Sequence, residues 1–219
     1  MPENVTAAVE DYVKAIYTLE GGEGTVTTTA LAERLDVRPA SVSGMLSKLT
    51  ALGLVEHEPY RGVRLTEHGT RVALEVVRHH RLLELFLVES LGMTWDEVHA
   101  EAEVLEHVLS EELEELIAEK LGDPAFDPHG DPIPSRELTV PADKSRSLYA
   151  LDPGEHGTFV RVSDSDPAML RFLSERGIAP GAAVEVIDRQ PFDGPLYVRV
   201  ADDVHVLGAV LARAMRITA

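Results

Sequence analysis

The chain has 219 residues, no cysteine and a formal net charge of −18. The lack of cysteine excludes disulfide frameworks and thiolate metal sites, and no apolar run approaches the ~18 residues that a membrane span needs. The first residues lack the basic and apolar pattern of a signal peptide, so we expect a cytoplasmic protein without a membrane partner. The charge is uneven, because residues 81–140 hold 3 Lys/Arg and 16 Asp/Glu. This excess of carboxylates favours cation binding in the middle of the chain.

Helix-forming segments and turns alternate in the first part of the chain. Apolar residues at helical spacing predict a first helix over residues 4–20, and residues 27–35 predict a short second helix capped by a threonine near its start. Pro39 and Gly53 frame a third helix, since proline suits the first turn and glycine the position after the last. Residues 54–66 alternate as in a β-hairpin. This order is typical of a winged helix-turn-helix; a generic helical subdomain is the alternative.

The middle of the chain is predicted to be helical. A long helix is expected over residues 67–90, a second over 94–108 with Glu97 in a capping box, and a third over 110–122. Residues 122–141 then contain five of the thirteen prolines. Because proline removes backbone donors and disfavours helix before it, we interpret this stretch as a linker.

Short β-like runs separated by turns fill the C-terminal part and predict a small β-barrel. The fold class is therefore mainly α with a small β domain. Three domains are expected: a winged helix-turn-helix at 1–70, a helical domain at 71–141 and a β domain at 150–219.

Imidazoles and carboxylates recur at helical spacing in the middle of the chain. They are His80 and Glu84 on one predicted helix, and His99, Glu103, Glu106 and His107 on the next. Residues three or four apart share a helix face, so two such faces can supply a complete set of metal ligands. A solvated charged face is the alternative, but two adjacent helices with the same pattern favour a metal site. Nitrogen and oxygen ligands suit Mn(II), Fe(II), Co(II) or Zn(II), and a carboxylate-rich set favours Mn(II).

These features together resemble one protein family. A winged helix-turn-helix, then HHRLLELFL, VHAEAEVLEHVLSEELEELI and PHGDPIP, then a small β domain, is similar to the diphtheria-toxin-repressor family of metal-dependent transcriptional regulators. The resemblance covers essentially the whole chain. It implies an N-terminal domain that binds DNA, a middle domain that dimerises and binds metal, and an SH3-like C-terminal domain.

The resemblance also implies two separate metal sites per subunit. The primary site would use Asp11, Glu103, Glu106 and His107, and the ancillary site would use His80, Glu84, His99 and one residue of the SH3-like domain. Asp166 aligns best with that last ligand, and Asp164 is its competitor. Carboxylates stand where iron-responsive members have Met and Cys, as in manganese-responsive members. Lys14 stands where short two-domain manganese regulators have Glu, which disfavours a closely spaced metal pair.

A DNA-binding surface is expected despite the acidic total, since residues 34–64 carry a net charge of +2. The candidate contacts are Thr28, Thr29, Arg38, Pro39, Ala40, Ser41, Ser43, Gly44, Lys48, Arg61 and Arg64. Small residues let a recognition helix approach thymine methyl groups, and a helix N-terminus favours a phosphate. Gly44 stands where the family often has Gln, so a larger share of shape readout is expected. Helix caps or solvated residues are the alternative for each Ser or Thr.

The expected function is a Mn(II)-activated repressor that binds palindromic operator DNA as a homodimer and controls metal homeostasis genes. An iron(II)-dependent regulator of the same family is the first alternative. A carboxylate-bridged metalloenzyme is disfavoured because an enzyme would not need the winged helix, so no enzymatic activity is expected. An interaction adaptor built on the SH3-like domain is also disfavoured, because it would not need the metal-ligand pattern in the middle of the chain.

Overall fold

The computed structural model describes residues 5–21, 26–58, 62–164 and 166–218. Its α-helices are α1 (Ala7–Glu20), α2 (Thr28–Arg34), α3 (Pro39–Ala51), α4 (Glu67–Leu91), α5 (Val98–Leu105), α6 (Glu111–Lys120), α7 (Pro167–Ser174) and α8 (Ala209–Ala214). Its β-strands are β1 (Val55–Glu58), β2 (Gly62–Leu65), β3 (Arg146–Ser147), β4 (His156–Arg161), β5 (Ala183–Arg189), β6 (Leu196–Val200), β7 (Asp203–Leu207) and β8 (Arg216–Thr218). The predicted fold class is confirmed. Within the described ranges, every helix is too short or too polar to cross a membrane.

The chain forms two compact units, and each unit is assembled from three separate segments of the sequence. The first, here the N-terminal unit, comprises 1–80, 104–114 and 134–139. The second, here the C-terminal unit, comprises 81–103, 115–133 and 140–219. Three helices, α4, α5 and α6, each contribute residues to both units. The three domains predicted from the sequence have boundaries that differ from those of these two units, and they stay a prediction.

Helices α1 to α3 and the β1–β2 hairpin form the winged helix of the N-terminal unit. The hairpin is antiparallel and pairs Val55 with Leu65. The predicted signals are observed: Thr27 Oγ1 accepts the Ala30 N–H at 3.1 Å and caps α2, and Gly53 after α3 has a φ of 70°. The core is formed by apolar side chains from all of these elements. They include Val9, Val13, Ile16, Leu31, Val42, Leu46, Leu49 and Val63.

Helix α5 is shorter than the predicted 94–108. At its start, the Thr94 hydroxyl donates to Glu97 Oε2 at 2.9 Å, and the Thr94 carbonyl accepts the Glu97 N–H, so these residues form a turn before the helix. At its end, the helix stops at Leu105 and Glu106 lies in the following turn. The carbonyl of Glu106 lies 3.1 Å from His79 Nδ1. The predicted ligands Glu106 and His107 are therefore presented by a turn and not by a helix face.

The C-terminal unit is built around an antiparallel six-stranded sheet with the strand order β3-β8-β4-β5-β6-β7. Helices α7 and α8 contribute to its apolar core, and Trp95 packs against the same core. The fully buried members include Leu148, Leu151, Phe159, Leu170, Leu173, Ile178, Val186, Leu196, Val198 and Leu207. This small sheet domain is SH3-like, as expected.

The proline-rich stretch predicted as a linker contains an ordered turn of the C-terminal unit. Asp127 Oδ1 accepts the backbone N–H groups of His129 and Asp131, each at 2.9 Å. Gly130 has a φ of 87°, and a Cβ atom there would lie 1.8 Å from the Val160 carbonyl oxygen. Only glycine fits such a position without backbone movement. The turn thus places two acidic groups and one imidazole inside the folded unit.

Candidate metal centres and DNA-binding surface

In the N-terminal unit, His107 lies between carboxylates of helix α1. Its Nδ1 atom is 2.5 Å from Glu10 Oε2, and its Nε2 atom is 3.0 Å from Asp11 Oδ1 and 3.7 Å from Glu106 Oε1. Because an ionised carboxylate can only accept, Nδ1–H donates to Glu10. Nε2, which faces Asp11 and Glu106, is then the nitrogen that would ligate a metal ion together with these carboxylates. This is how metal-binding imidazoles are oriented in proteins, with the second nitrogen held by a carboxylate.

Glu10 is a candidate site residue that was not among the residues predicted from the sequence. It is only 5% exposed, although it is a charged residue on an amphipathic helix. Its neighbour Val9 and the residue three positions on, Val13, are both fully buried. That spacing places Glu10 beside the apolar face. An acidic residue in such a position could have indicated, from the sequence alone, a buried carboxylate with a partner. Buried charges are expected to be paired, which the contact with His107 achieves.

Asp11, Glu106 and His107 form what we call the N-terminal cluster. Each offers one donor atom, and these atoms lie within 4.8 Å of one another. The Glu106 side chain is fully buried, whereas Asp11 is 39% exposed. Two carboxylates and an imidazole nitrogen that converge in this way fit a divalent ion that prefers nitrogen and oxygen ligands. The exposed edge at Asp11 offers an entry path.

Two of the predicted ligands, Glu103 and His80, each have a close contact within their own unit. Glu103, predicted in the primary site, belongs to the C-terminal unit, where its Oε1 lies 3.7 Å from His99 Nε2. His80, predicted in the ancillary site, belongs to the N-terminal unit, where its Nδ1 lies 2.5 Å from Glu106 Oε2. These contacts do not test the predicted grouping of Glu103 and His80, which stays a prediction. His80 nevertheless lies one helical turn before Glu84 on α4.

In the C-terminal unit, His99 lies between Glu84 and Asp164. His99 Nδ1 is 3.1 Å from Asp164 Oδ2 and 3.3 Å from Glu84 Oε1. The hydrogen bond to Asp164, followed by that to Glu84, raises the pKa of His99 to about 10. The preference for Asp166 is thus corrected in favour of Asp164. Asp166 instead accepts the Ala168 N–H at 2.9 Å and caps α7, whose first turn contains proline.

Glu84 also faces a second imidazole, that of His129. This residue was not among the predicted ligands and lies in the stretch predicted as a linker. His129 Nδ1 lies 3.4 Å from Glu84 Oε2, and His129 Nε2 donates to the Trp95 carbonyl at 2.7 Å. Among the described residues, Nδ1 of His129 has no hydrogen-bond partner although it is buried. Burial lowers the pKa of His129, but the carboxylates of Glu84 and Asp127 outweigh it and raise this pKa to about 9.

We call the five residues around Glu84 the C-terminal cluster. Its members are Glu84, His99, Asp127, His129 and Asp164; Glu84 belongs both to a group with His99 and Asp164 and to a group with Asp127 and His129. Donor atoms of Glu84, Asp127 and His129 lie within 4.8 Å of one another, and all three residues are buried. Burial and the nearby carboxylates of Asp131 and Glu84 raise the pKa of Asp127 to about 8. A divalent ion fits this cluster, because it would neutralise carboxylates that burial otherwise makes costly.

Helix α3 presents the predicted DNA-binding residues on one accessible side. Arg38 precedes the helix, and the predicted contacts along it are all exposed: Pro39, Ala40, Ser41, Ser43, Gly44 and Lys48. A Cβ atom on Gly44 would meet nothing within 4 Å, so the helix surface is open there. On α2, Thr29 is exposed and Thr28 half-buried, and on β2 Arg64 is exposed. Arg61 lies outside the described residues. Such a surface can enter a DNA major groove.

Comparison with known proteins gives three family matches. Residues 4–63 match "Iron dependent repressor, N-terminal DNA binding domain", residues 66–135 match "Iron dependent repressor, metal binding and dimerisation domain", and residues 146–219 match "FeoA domain". The iron-dependent repressor IdeR of Mycobacterium tuberculosis is 34% identical over 189 residues, which cover 81% of this chain and 82% of IdeR. The chain belongs to the diphtheria-toxin-repressor family.

As a member of the diphtheria-toxin-repressor family, the chain is a metal-dependent transcriptional repressor that binds DNA and dimerises. The diphtheria toxin repressor of Corynebacterium efficiens is 33% identical over 200 residues, covering 86% of each protein. A solved structure described as a manganese-dependent transcriptional repressor in complex with manganese is 43% identical. It has a TM-score of 0.91 and covers 96% of this chain and 99% of its own. Both iron-dependent and manganese-dependent proteins are therefore similar to this chain.

Proposed function

We propose that this chain is a Mn(II)-activated repressor that binds palindromic operator DNA as a homodimer and controls metal homeostasis genes. The observation that carries the proposal is the donor set of the N-terminal cluster, two carboxylates and one imidazole nitrogen. Hard oxygen ligands favour Mn(II), and a chain with no cysteine offers no thiolate ligand that would favour softer ions. The similarity to a manganese-dependent repressor at 43% identity supports the same metal.

The N-terminal cluster joins two parts of the repressor. Asp11 belongs to the segment that matches the DNA-binding domain, whereas Glu106 and His107 belong to the segment that matches the metal binding and dimerisation domain. A divalent ion, when bound, supplies the positive charge that holds carboxylates of both segments together. Ligation by these side chains would fix α1, and with it the winged helix, against the turn after α5. Ion binding then increases the population of the conformation that binds the ion better and decreases the population of the others.

The homodimer has a candidate surface in the N-terminal unit. Val104 and Val108 are 68% and 77% exposed, and Leu113 is also exposed. Neighbouring exposed apolar side chains mark interaction surfaces, and these lie within the segment that matches the dimerisation domain. A two-fold dimer presents its two recognition helices about 34 Å apart, or a multiple of that, so we expect a palindromic operator.

Two metal positions per subunit are included in the proposal. The N-terminal cluster supplies one and the C-terminal cluster the other, with Glu84 common to its two imidazoles. Metal ligation and DNA contact are sufficient for the proposed repression, so we propose a regulator without enzymatic activity. An iron(II)-dependent repressor is the second candidate, and it is favoured by the 34% identity to IdeR.

The metal preference can be tested by selecting DNA ligands. A duplex is first selected from a random library with the full chain in Mn²⁺, and its binding is then titrated anaerobically with Mn²⁺ and with Fe²⁺. We expect palindromic sequences and activation at a lower free concentration of Mn²⁺ than of Fe²⁺. Stronger activation by Fe²⁺ would overturn the choice of metal, and equal binding in chelator would overturn metal dependence itself.

A further inference from the structure

Glu20, the last residue of α1, connects this helix to the wing of the DNA-binding domain. Its Oε1 atom accepts the backbone N–H of Leu65 on β2 at 2.8 Å. The helix dipole disfavours a carboxylate in a last turn, and the last turn here has the sequence YTLE with no basic side chain. A carboxylate on a DNA-binding domain also repels phosphates. Both effects disfavour an acidic residue at this position, so the contact with Leu65 needs a functional explanation.

The position of the wing depends on contacts from outside its own hairpin. Strands β1 and β2 have four residues each and form a two-stranded sheet, and an isolated hairpin of this kind is at best marginally stable in water. The N–H of Val63 donates to the Val26 carbonyl at 2.9 Å, and the N–H of Leu65 donates to Glu20. Since N–H groups two residues apart lie on the same edge of a strand, these two bonds hold one edge of β2.

The contact joins a helix that carries a metal ligand to a strand that carries a DNA contact. Asp11 of the N-terminal cluster lies nine residues before Glu20, which is roughly 13 Å along α1 at 1.5 Å per residue. On β2, Arg64 directly precedes Leu65, is exposed and is one of the candidate DNA contacts. A bond to the N–H of Leu65 therefore fixes the backbone from which the Arg64 side chain extends.

We propose that Glu20 is a positioning residue for DNA binding, and that its carboxylate holds β2 where Arg64 reaches an operator phosphate. Glu20 contacts neither DNA nor metal in this scheme and acts only through β2. The inference rests on the proposed function, because Arg64 contacts the operator only in the activated repressor. One helix then supplies a metal ligand near its start and the support of the wing at its end.

Three substitutions separate the acceptor atom of Glu20 from its charge and its length. Glu20→Gln loses the charge but keeps an acceptor at the same reach, Glu20→Met keeps the length without that acceptor, and Glu20→Asp keeps the charge but is one methylene shorter. The affinity of each full chain for the Mn²⁺-selected duplex is measured in saturating Mn²⁺. We expect wild-type affinity in Glu20→Gln and weaker binding in the other two. Equal losses in Glu20→Gln and Glu20→Met, or no loss in Glu20→Met and Glu20→Asp, overturn the inference.

The variant Arg64→Met, alone and combined with Glu20→Met, tests whether Glu20 acts through the wing. Each lost phosphate contact reduces the slope of log affinity against log salt concentration by about 0.9. We expect both single variants to reduce this slope equally and the double variant to reduce it no further, because the same contact is lost in all three. Additive losses, or an unchanged slope in Arg64→Met, overturn the inference.

Mn²⁺ binding and circular dichroism distinguish this effect from damage elsewhere in the chain. Calorimetry should give wild-type Mn²⁺ affinity in every Glu20 variant, and each should keep the wild-type dichroism spectrum at the temperature of the DNA titration. If Glu20→Met does not fold, the comparison of Glu20→Asp with Glu20→Gln decides. A loss of Mn²⁺ affinity that accompanies the loss of DNA binding overturns the inference. A wild-type chain that does not bind the duplex in Mn²⁺ would instead contradict the proposed function.

Discussion

Glu10 Oε2 lies 2.5 Å from His107 Nδ1, and this contact directs the other nitrogen of His107 towards Asp11 and Glu106. Glu10 itself is buried and points its charge at the imidazole. The metal-binding character of the N-terminal cluster therefore depends on a residue outside the cluster. Carboxylates in this role fix the imidazole tautomer and raise its basicity as a ligand.

Substituting Glu10 by Gln is expected to weaken Mn²⁺ binding at the N-terminal cluster about 10- to 100-fold, because the amide no longer accepts as strongly from His107. Calorimetric titration of the full chain measures the loss. Glu101→Gln, an exposed residue on α5, is the matched control and should retain wild-type affinity. Wild-type affinity in Glu10→Gln would show that His107 needs no orientation by Glu10.

Asp164 and Asp166 are expected to behave differently on substitution by Ala. Asp164→Ala removes a carboxylate 3.1 Å from His99 and should lose Mn²⁺ at the C-terminal cluster with a small effect on folding. Asp166→Ala removes the cap of α7 and should lower the free energy of unfolding by about 1 kcal/mol with an unchanged ion count. Metal analysis and denaturant unfolding distinguish the two. The reverse pattern would restore Asp166 as the ligand.

The single tryptophan reports on the C-terminal cluster. Trp95 stacks on His129 with ring centroids 5.8 Å apart, and its carbonyl accepts from the same imidazole. We expect Mn²⁺, which is paramagnetic, to quench Trp95 emission as the cluster fills, and His129→Ala to shift the quenching to higher Mn²⁺ concentration. Asp11→Ala serves as the control, because it leaves the C-terminal cluster intact. Identical titration curves for wild type and His129→Ala would remove His129 from the site.

Metal binding at the C-terminal cluster is expected to release protons. Asp164 raises the pKa of His99 to about 10, and the nearby carboxylates raise that of His129 to about 9, so both imidazoles carry a proton at pH 7 in the metal-free protein. A ligating imidazole must be neutral, so affinity should rise as the pH rises towards these values, about tenfold per pH unit for each proton displaced. Acid should weaken binding correspondingly.

Calorimetry of Asp11→Ala measures this release at one pH in two buffers of different ionisation enthalpy. The variant confines binding to the C-terminal cluster, so the difference between the two buffers counts the protons that this cluster loses. A binding enthalpy that is independent of the buffer, together with an affinity that is independent of pH between 6.5 and 8, would argue against ligation by these imidazoles.

Local patterns account for the parts of the structure that the sequence predicted well. Helical periodicity, Thr27 as a cap and Gly53 after α3 depend on residues close in the chain, and the predicted winged helix is observed. The recurring His and Glu spacing likewise selected side chains that lie in groups able to hold a metal ion. These signals are short-range, and tertiary packing did not override them.

Contacts between distant residues account for the parts that could not be predicted. The sequence shows three charged residues on one helix, Glu10, Asp11 and Lys14, and does not show which atoms each of them contacts. Those contacts depend on how α1 packs against the turn after α5. His129 sits in a proline-rich stretch whose composition indicates a linker, and its burial beside Glu84 depends on the fold of the C-terminal unit. The choice of Asp164 over Asp166 likewise depends on which carboxylate the start of α7 uses as its cap.

The most direct test of the account is the Mn²⁺ dependence of DNA binding by wild type and Asp11→Ala. Fluorescence anisotropy of the selected duplex is measured across a Mn²⁺ titration, with circular dichroism to confirm that the variant folds. We predict that wild type binds DNA only with Mn²⁺ and that folded Asp11→Ala fails to respond to it. A folded Asp11→Ala that binds the duplex with the wild-type Mn²⁺ response would contradict the claim that ligation at the N-terminal cluster activates the repressor.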